Sequence, residues 1–253
     1  MGILNTELGY FLDDILQVSM FDDYGPNGLQ VEGKSLIERI GYGVSASLST
    51  IQQAVEAQVD ALMVHHGIFW EGDTRSLHGV KREKIRLLIE NGINLYAYHL
   101  PLDAHQELGN NWKAAKDLKW QHLSAFGKHK GIYLGVQGEL TTPMTGKVLK
   151  KTLETYYQHP ASTAGDEDRI LKKVGLISGG SHWEINQAIA SRLDAFITGS
   201  FDEPIWHIAR EEGIFFLALG HSHTEKVGPR ALLEFLHNKK GIKGVFIEDH
   251  NPF

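Results

Sequence analysis

The chain has 253 residues, 42% hydrophobic and 22% charged, which is enough to bury a core without covalent staples. Its formal net charge is −6, and no Lys/Arg run exceeds short pairs such as Lys239-Lys240, so there is no strong nucleic-acid signal. The absence of cysteine excludes disulfides and thiolate ligands, leaving His, Asp and Glu to hold any metal.

Residues 3–17 read as an amphipathic helix that carries Glu7, Asp13 and Asp14, without the basic flank of a signal peptide. No apolar run approaches the ~18 residues that cross a bilayer, so a cytoplasmic protein with no membrane partner is expected. FDDYGPNGLQVEG, from Phe21, is a turn signal in which Asn27 can line a pocket. From residue 40 the pattern alternates: a strand at 40–44, a helix at 49–58, a strand at 60–64, a helix at 80–91 and a strand at 93–98. That order predicts an α/β layer with largely parallel strands. A strand at 131–140, a helix at 145–156 and an exposed polar loop at 158–169 follow.

The second half repeats the first. IQQAVEAQVDALMV, from Ile51, aligns with INQAIASRLDAFIT, from Ile185, so that Asp60-Ala61 matches Asp194-Ala195 and Gly41 matches Gly175. GINLYAYHLPLDA, from Gly92, resembles GIFFLALGHSHTE, from Gly213. The expected fold is α/β, with two similar lobes from an internal duplication (1–126 and 127–253) and a metal site between them. The last strand, near 244–247, can pair with either lobe.

Chemistry in open α/β sheets gathers at the carboxyl ends of strands. His65 and His66 close one apolar run, and Gly67 lets the backbone turn after them. In YHLPLDAH, Pro101 ends a strand and leaves Asp103 exposed at its mouth; His99 sits at the strand end and His105 in a loop. GHSHTEKVGP reads as a tight loop before a helix starting near Gly228, with His221, His223 and Glu225 able to point one way. Together His65, His66, Asp103, His221 and Glu225, with His223 in reserve, exceed the three protein ligands of a catalytic zinc. Three imidazoles and two carboxylates suit two divalent ions ~3.5–4 Å apart. Without thiolate, iron, manganese, zinc and cobalt all remain open. HExxH, G-x-S-x-G and Walker motifs are absent, and GYGVSA, from Gly41, is a strand rather than a dinucleotide loop.

NGLQVEG, VHHG, YHLPLDAHQELGNN, TGSFDE and GHSHTEKVG, in this order, resemble the YbgI-like family of dinuclear-metal proteins, often named type-2 GTP cyclohydrolase homologues. The resemblance spans essentially the whole chain and implies the same five metal ligands. It also implies two α/β lobes and a ring-shaped (toroidal) homohexamer. Relatives often carry an acid directly after the Thr-Gly of the second lobe, where this chain has Ser200. The implied activity is ring-opening hydrolysis of a nucleotide or related small nitrogenous substrate, with His99 shuttling protons. The alternatives are a non-catalytic metal-binding ring that docks a partner, and a two-metal hydrolase of phosphoesters or amides.

Overall fold

In the computed structural model, which describes residues 2–253, the chain divides into two units, one comprising Met1–Leu102 with Gly228–His250 and the other Asp103–Val227 with Asn251–Phe253. The fold is mixed α/β, with a mixed sheet in each unit. Among the described helices, none is long and apolar enough to cross a membrane.

The sheet of the first unit runs, in spatial order, Lys243–Phe246, Arg39–Ser45, Ala61–His66, Asn94–Ala97 and Gly28–Val31. All its pairings are parallel except that of Gly28–Val31, which lies antiparallel to Asn94–Ala97. The apolar run 61–64 reads as a strand covered on both faces, and Ala61, Leu62, Met63 and Val64 are indeed no more than 1% exposed. Leu62 and Val64 join a core with Ile51, Ala54, Leu88 and Leu95. The helix Leu48–Glu56 supplies Ile51 and Ala54, and it starts where the Ser47 hydroxyl accepts the Thr50 N–H. The closing strand Lys243–Phe246 returns to this sheet, beside Arg39–Ser45.

In the second unit the order is Gln121–His129, Ile132–Thr145, Ile170–Leu176, Ala195–Thr198, Phe215–Ala218 and Ser162–Ala164. The three strands from Ile170 to Ala218 are parallel and the flanking ones antiparallel. The polar stretch 158–169, expected as a plain loop, contains the edge strand Ser162–Ala164. Its backbone pairs with Phe215–Ala218 while Ser162 stays exposed, so its polarity reflects an edge position. The first two strands form a hairpin whose turn residues Lys130 and Gly131 both take positive φ (45° and 92°), the geometry that matches strand twist.

The expected lobe division at 126/127 differs from these bounds over the segments 103–126 and 228–250. The helix Asn110–Asp117 buries Trp112, Ala114 and Ala115 in the core that also holds Val136 and Leu140. Asn111 donates to the Leu134 carbonyl at 2.9 Å.

Asp60 closes a tight junction in the first unit. Its Oδ2 accepts the Glu38 and Arg39 N–H groups (3.0 and 3.1 Å), and its Oδ1 meets Lys34 Nζ at 3.1 Å. Burial pushes this carboxyl up, but the backbone donors and Lys34 outweigh it, and the net shift is downward. A depressed folded value stabilises the protein above the unfolded value, and that stability is lost as pH falls through the folded value, below about 4. In Asp60→Asn, thermal melting temperature should fall less steeply than in wild type between about pH 5 and pH 3. Parallel slopes would contradict this.

Candidate metal centre

The strand Ala61–His66 extends through both histidines, so neighbouring side chains should leave it on opposite sides. Each ring is anchored to a different neighbouring segment. His65 Nδ1 donates to the Tyr98 carbonyl at 2.9 Å, just past the strand Asn94–Ala97. His66 Nδ1 meets Ser45 Oγ at 2.9 Å, on the strand Arg39–Ser45. The rings nonetheless converge, with centroids 4.8 Å apart, and His99 joins them at 5.0 and 5.5 Å. One ring nitrogen from each of His65, His66 and His99 lies within 4.8 Å of the others. His65 is fully buried.

His99 is held by the loop at 21–27. Its Nδ1 donates to Asp23 Oδ1 at 2.7 Å, and its backbone N–H donates to Asn27 Oδ1 at 2.7 Å. Asp23 Oδ2 accepts the Leu100 N–H at 2.9 Å and the Asn27 amide at 2.8 Å. Burial pushes the Asp23 carboxyl up; the hydrogen bond and charge of His99, with Asn27 and Leu100, bring it below the usual carboxylate range. Sequence reasoning assigned Asn27 to a pocket and overlooked Asp23. The available signal was FDDYGPNG itself, with an acid four residues before Asn27.

A second wall comes from 67–71. Glu71 donates its N–H to the Tyr24 carbonyl at 2.6 Å, and Ile68 donates to Gln30 Oε1 at 2.9 Å. Trp70 meets His99 edge-on at 5.1 Å and His66 at 5.9 Å, while Tyr24 lies 6.3 Å from His99.

In the second unit, Asp103 and the His221–Glu225 pair are the candidate donors. Asp103 was expected to be exposed, but it is 7% exposed because the short helix Leu100–Ala104 turns it inward. Its Oδ1 accepts Asn110 Nδ2 at 2.9 Å and Ser178 Oγ at 3.0 Å. Asn111 bonds the Asp103 carbonyl at 3.2 Å and receives the Ser178 N–H at 2.7 Å. Sequence reasoning assigned these three polar residues no role, although GNN lies within a motif it quoted.

HSHT, expected as an extended loop, forms one helical turn, His221–Thr224. Extended geometry would have aligned His221, His223 and Glu225; helical geometry aligns residues four apart. His221 Nε2 accordingly meets Glu225 Oε1 at 3.2 Å, whereas the His223 ring packs tilted against His159 with centroids 4.3 Å apart. Ser200 Oγ lies 3.3 Å from His221 Nδ1, so the residue after Thr198-Gly199 orients this imidazole. Glu225 is 3% exposed. Thr224 Oγ1 accepts the Gly179 N–H at 3.0 Å, bringing the turn against 178–180.

The donor set fits a borderline divalent ion. Nitrogen and oxygen ligands on one zinc-sized ion sit about 3–3.4 Å apart, the spacing of His221 Nε2 and Glu225 Oε1. His65 Nδ1 donates to a carbonyl and His99 Nδ1 to a carboxylate, so both neutral rings keep the lone pair on Nε2. Imidazoles fixed through one nitrogen are the usual arrangement of metal-ligating histidine.

The profile of the Duf34/NIF3 (NGG1p interacting factor 3) family matches residues 4–252. A Chlamydia pneumoniae protein named "GTP cyclohydrolase 1 type 2 homolog" is 47% identical over 245 residues, covering 96% of each chain. The solved structure of protein ybgI superposes with a TM-score of 0.91 at 39% identity, covering 99% of this chain and 100% of that one. TTHA1606 from Thermus thermophilus gives 0.89 at 31% identity, with the same coverage. The chain therefore belongs to the Duf34/NIF3 family and has a YbgI-like fold.

Proposed function

We propose that this protein is a dinuclear metal-dependent hydrolase that opens a ring of a nucleotide or related small nitrogenous substrate. His65, His66, Asp103, His221 and Glu225 hold the two divalent ions. The carrying observation is the convergence of His65, His66 and His99, each ring fixed through Nδ1 by a different group. Two such ions, when bound, supply Lewis acidity and a water-derived nucleophile active at neutral pH. Asp103 is aimed by Asn110 and Ser178, and His221 by Ser200. His99 takes and returns a proton at Nε2. The Trp70 and Tyr24 rings beside His99 offer flat faces to a planar heterocycle, which favours this reading over a phosphoester or an aliphatic amide.

Duplication of an ancestral lobe accounts for a correspondence of local geometry. Asp194 Oδ2 accepts the Lys172 and Lys173 N–H groups (2.9 and 2.8 Å), as Asp60 does with Glu38 and Arg39. The Asp194 carbonyl accepts the Phe215 N–H, as that of Asp60 accepts Asn94. Each aspartate precedes a central parallel strand.

The decisive test is formate release from GTP by protein carrying its native metal, alongside a panel of other nucleotides, phosphoesters and cyclic amides. Release that disappears in Asp103→Asn supports the cyclohydrolase reading; turnover confined to another panel member overturns it. Saturation well below two ions per chain overturns the dinuclear assignment. We also propose the homohexamer, for which light scattering should give about six times 28.3 kDa.

A further inference from the structure

We propose that Asp23 is a positioning residue that locks His99 in the Nδ1–H tautomer and leaves its lone pair on Nε2. Asp23 stands 76 residues from His99 in sequence, yet the loop at 21–27 wraps the backbone and ring of His99 through Asp23 and Asn27. The Asp23 side chain is 2% exposed, and its two oxygens have separate tasks. Oδ2 accepts two N–H donors, from Leu100 and Asn27, while Oδ1 accepts the ring N–H and the adjacent Tyr24 N–H at 2.7 Å. Neither neighbour at Oδ2 can reverse its role. The Leu100 donor is backbone, and the Asn27 amide is oriented by its own Oδ1, which accepts the His99 N–H.

This asymmetry gives an isosteric substitution an unusual consequence. In Asp23→Asn the amide turns its oxygen toward the Leu100 and Asn27 donors, because its NH2 would oppose both of them there, whereas at the Oδ1 position it opposes only the Tyr24 N–H. The NH2 then faces His99 Nδ1, which can accept that hydrogen bond only by giving up its proton. The ring therefore switches to the Nε2–H tautomer with almost no change in shape. A merely structural aspartate, holding loop to strand, would leave the tautomer as it was.

The inference rests on the proposed proton role of His99 for its consequence in turnover, but the tautomer is read without turnover. The experiment is long-range proton–nitrogen correlation spectroscopy of the full chain loaded with zinc, with His99 assigned by comparison with His99→Gln. Spectra are taken about two pH units above the ordinary imidazole value. Wild type should show Nδ1–H at His99, and Asp23→Asn should show Nε2–H with zinc per chain unchanged. Asp23→Ala, which removes the acceptor, should show a mixture of both. Nε2–H in wild type overturns the proposal, as does retention of Nδ1–H alone in whichever variant folds. Absence of GTP turnover with the expected tautomers overturns the hydrolase reading and leaves the positioning role standing.

Discussion

Asp103→Ala and Asp103→Asn should separate stability from metal binding. Alanine removes the oxygen that accepts Asn110 Nδ2 and Ser178 Oγ, leaving two donors beside a buried side chain without that partner. Each lost acceptor costs about 1–3 kcal/mol, so Asp103→Ala should lower unfolding free energy by about 2–5 kcal/mol. Asparagine can keep its oxygen toward both donors, and its stability should stay within about 1 kcal/mol of wild type. Both variants lose the charged donor, and chelator competition should show divalent-ion affinity reduced at least ~100-fold. Denaturant titration and chelator competition check the two quantities independently. Wild-type affinity in Asp103→Asn would remove Asp103 from the ligand set.

Adding a single methyl group at Gly179 should have a large effect on metal affinity. This glycine has φ +67°, and a Cβ there would stand 2.2 Å from Glu225 Oε1 and 3.3 Å from His221 Nε2. The left-handed backbone costs an alanine about 1 kcal/mol. The closest atom is the end of a flexible side chain, so the chain can relieve the clash by swinging the Glu225 carboxylate away. That relief breaks the 3.2 Å spacing to His221 on which shared ligation depends. Gly179→Ala should therefore fold, with a loss of about 1–2 kcal/mol, while divalent-ion affinity drops ~100-fold or more. Gly199→Ala is the contrasting case. Its Cβ would meet backbone, the His221 Cα at 2.7 Å and the Gly179 carbonyl at 2.8 Å, as well as Thr224 Oγ1 at 2.7 Å. Backbone cannot swing aside, so this variant should lose several kcal/mol of stability, about 3 or more. If Gly179→Ala retained full metal affinity, the His221–Glu225 pair would not be a ligand pair.

Those parts of the fold whose residues repeat with the period of their own element were legible in the sequence. Ala61 to Val64 is apolar throughout because both faces of its strand are covered, and Ile51 and Ala54 recur at helical spacing. Gly28–Val31 and Gln121–His129 escaped because edge strands are short or half exposed, and the partner of Gly28–Val31 lies far along the chain. The histidines stood out because adjacent imidazoles after an apolar run are rare. Asp23 did not, because an aspartate in a Gly/Pro/Asn turn looks like turn chemistry, and the ring it holds lies 76 residues away. Misreading HSHT had a different source. Four residues are too few to show a period, so one helical turn and an extended loop look alike until a hydrogen bond such as Thr224 N to the Gly220 carbonyl is seen.

The return of Lys243–Phe246 to the first sheet has a consequence for biosynthesis. On a translating ribosome, Arg39–Ser45 emerges long before the strand that covers its outer side, so that sheet waits with an open edge for some two hundred residues. The second unit's sheet is assembled wholly from residues 121–218 and can close in the interim. The half of the protein made first is thus the half completed last, and a transcript truncated before Lys243 would yield a chain with an intact second sheet and a first sheet prone to pairing with a neighbour.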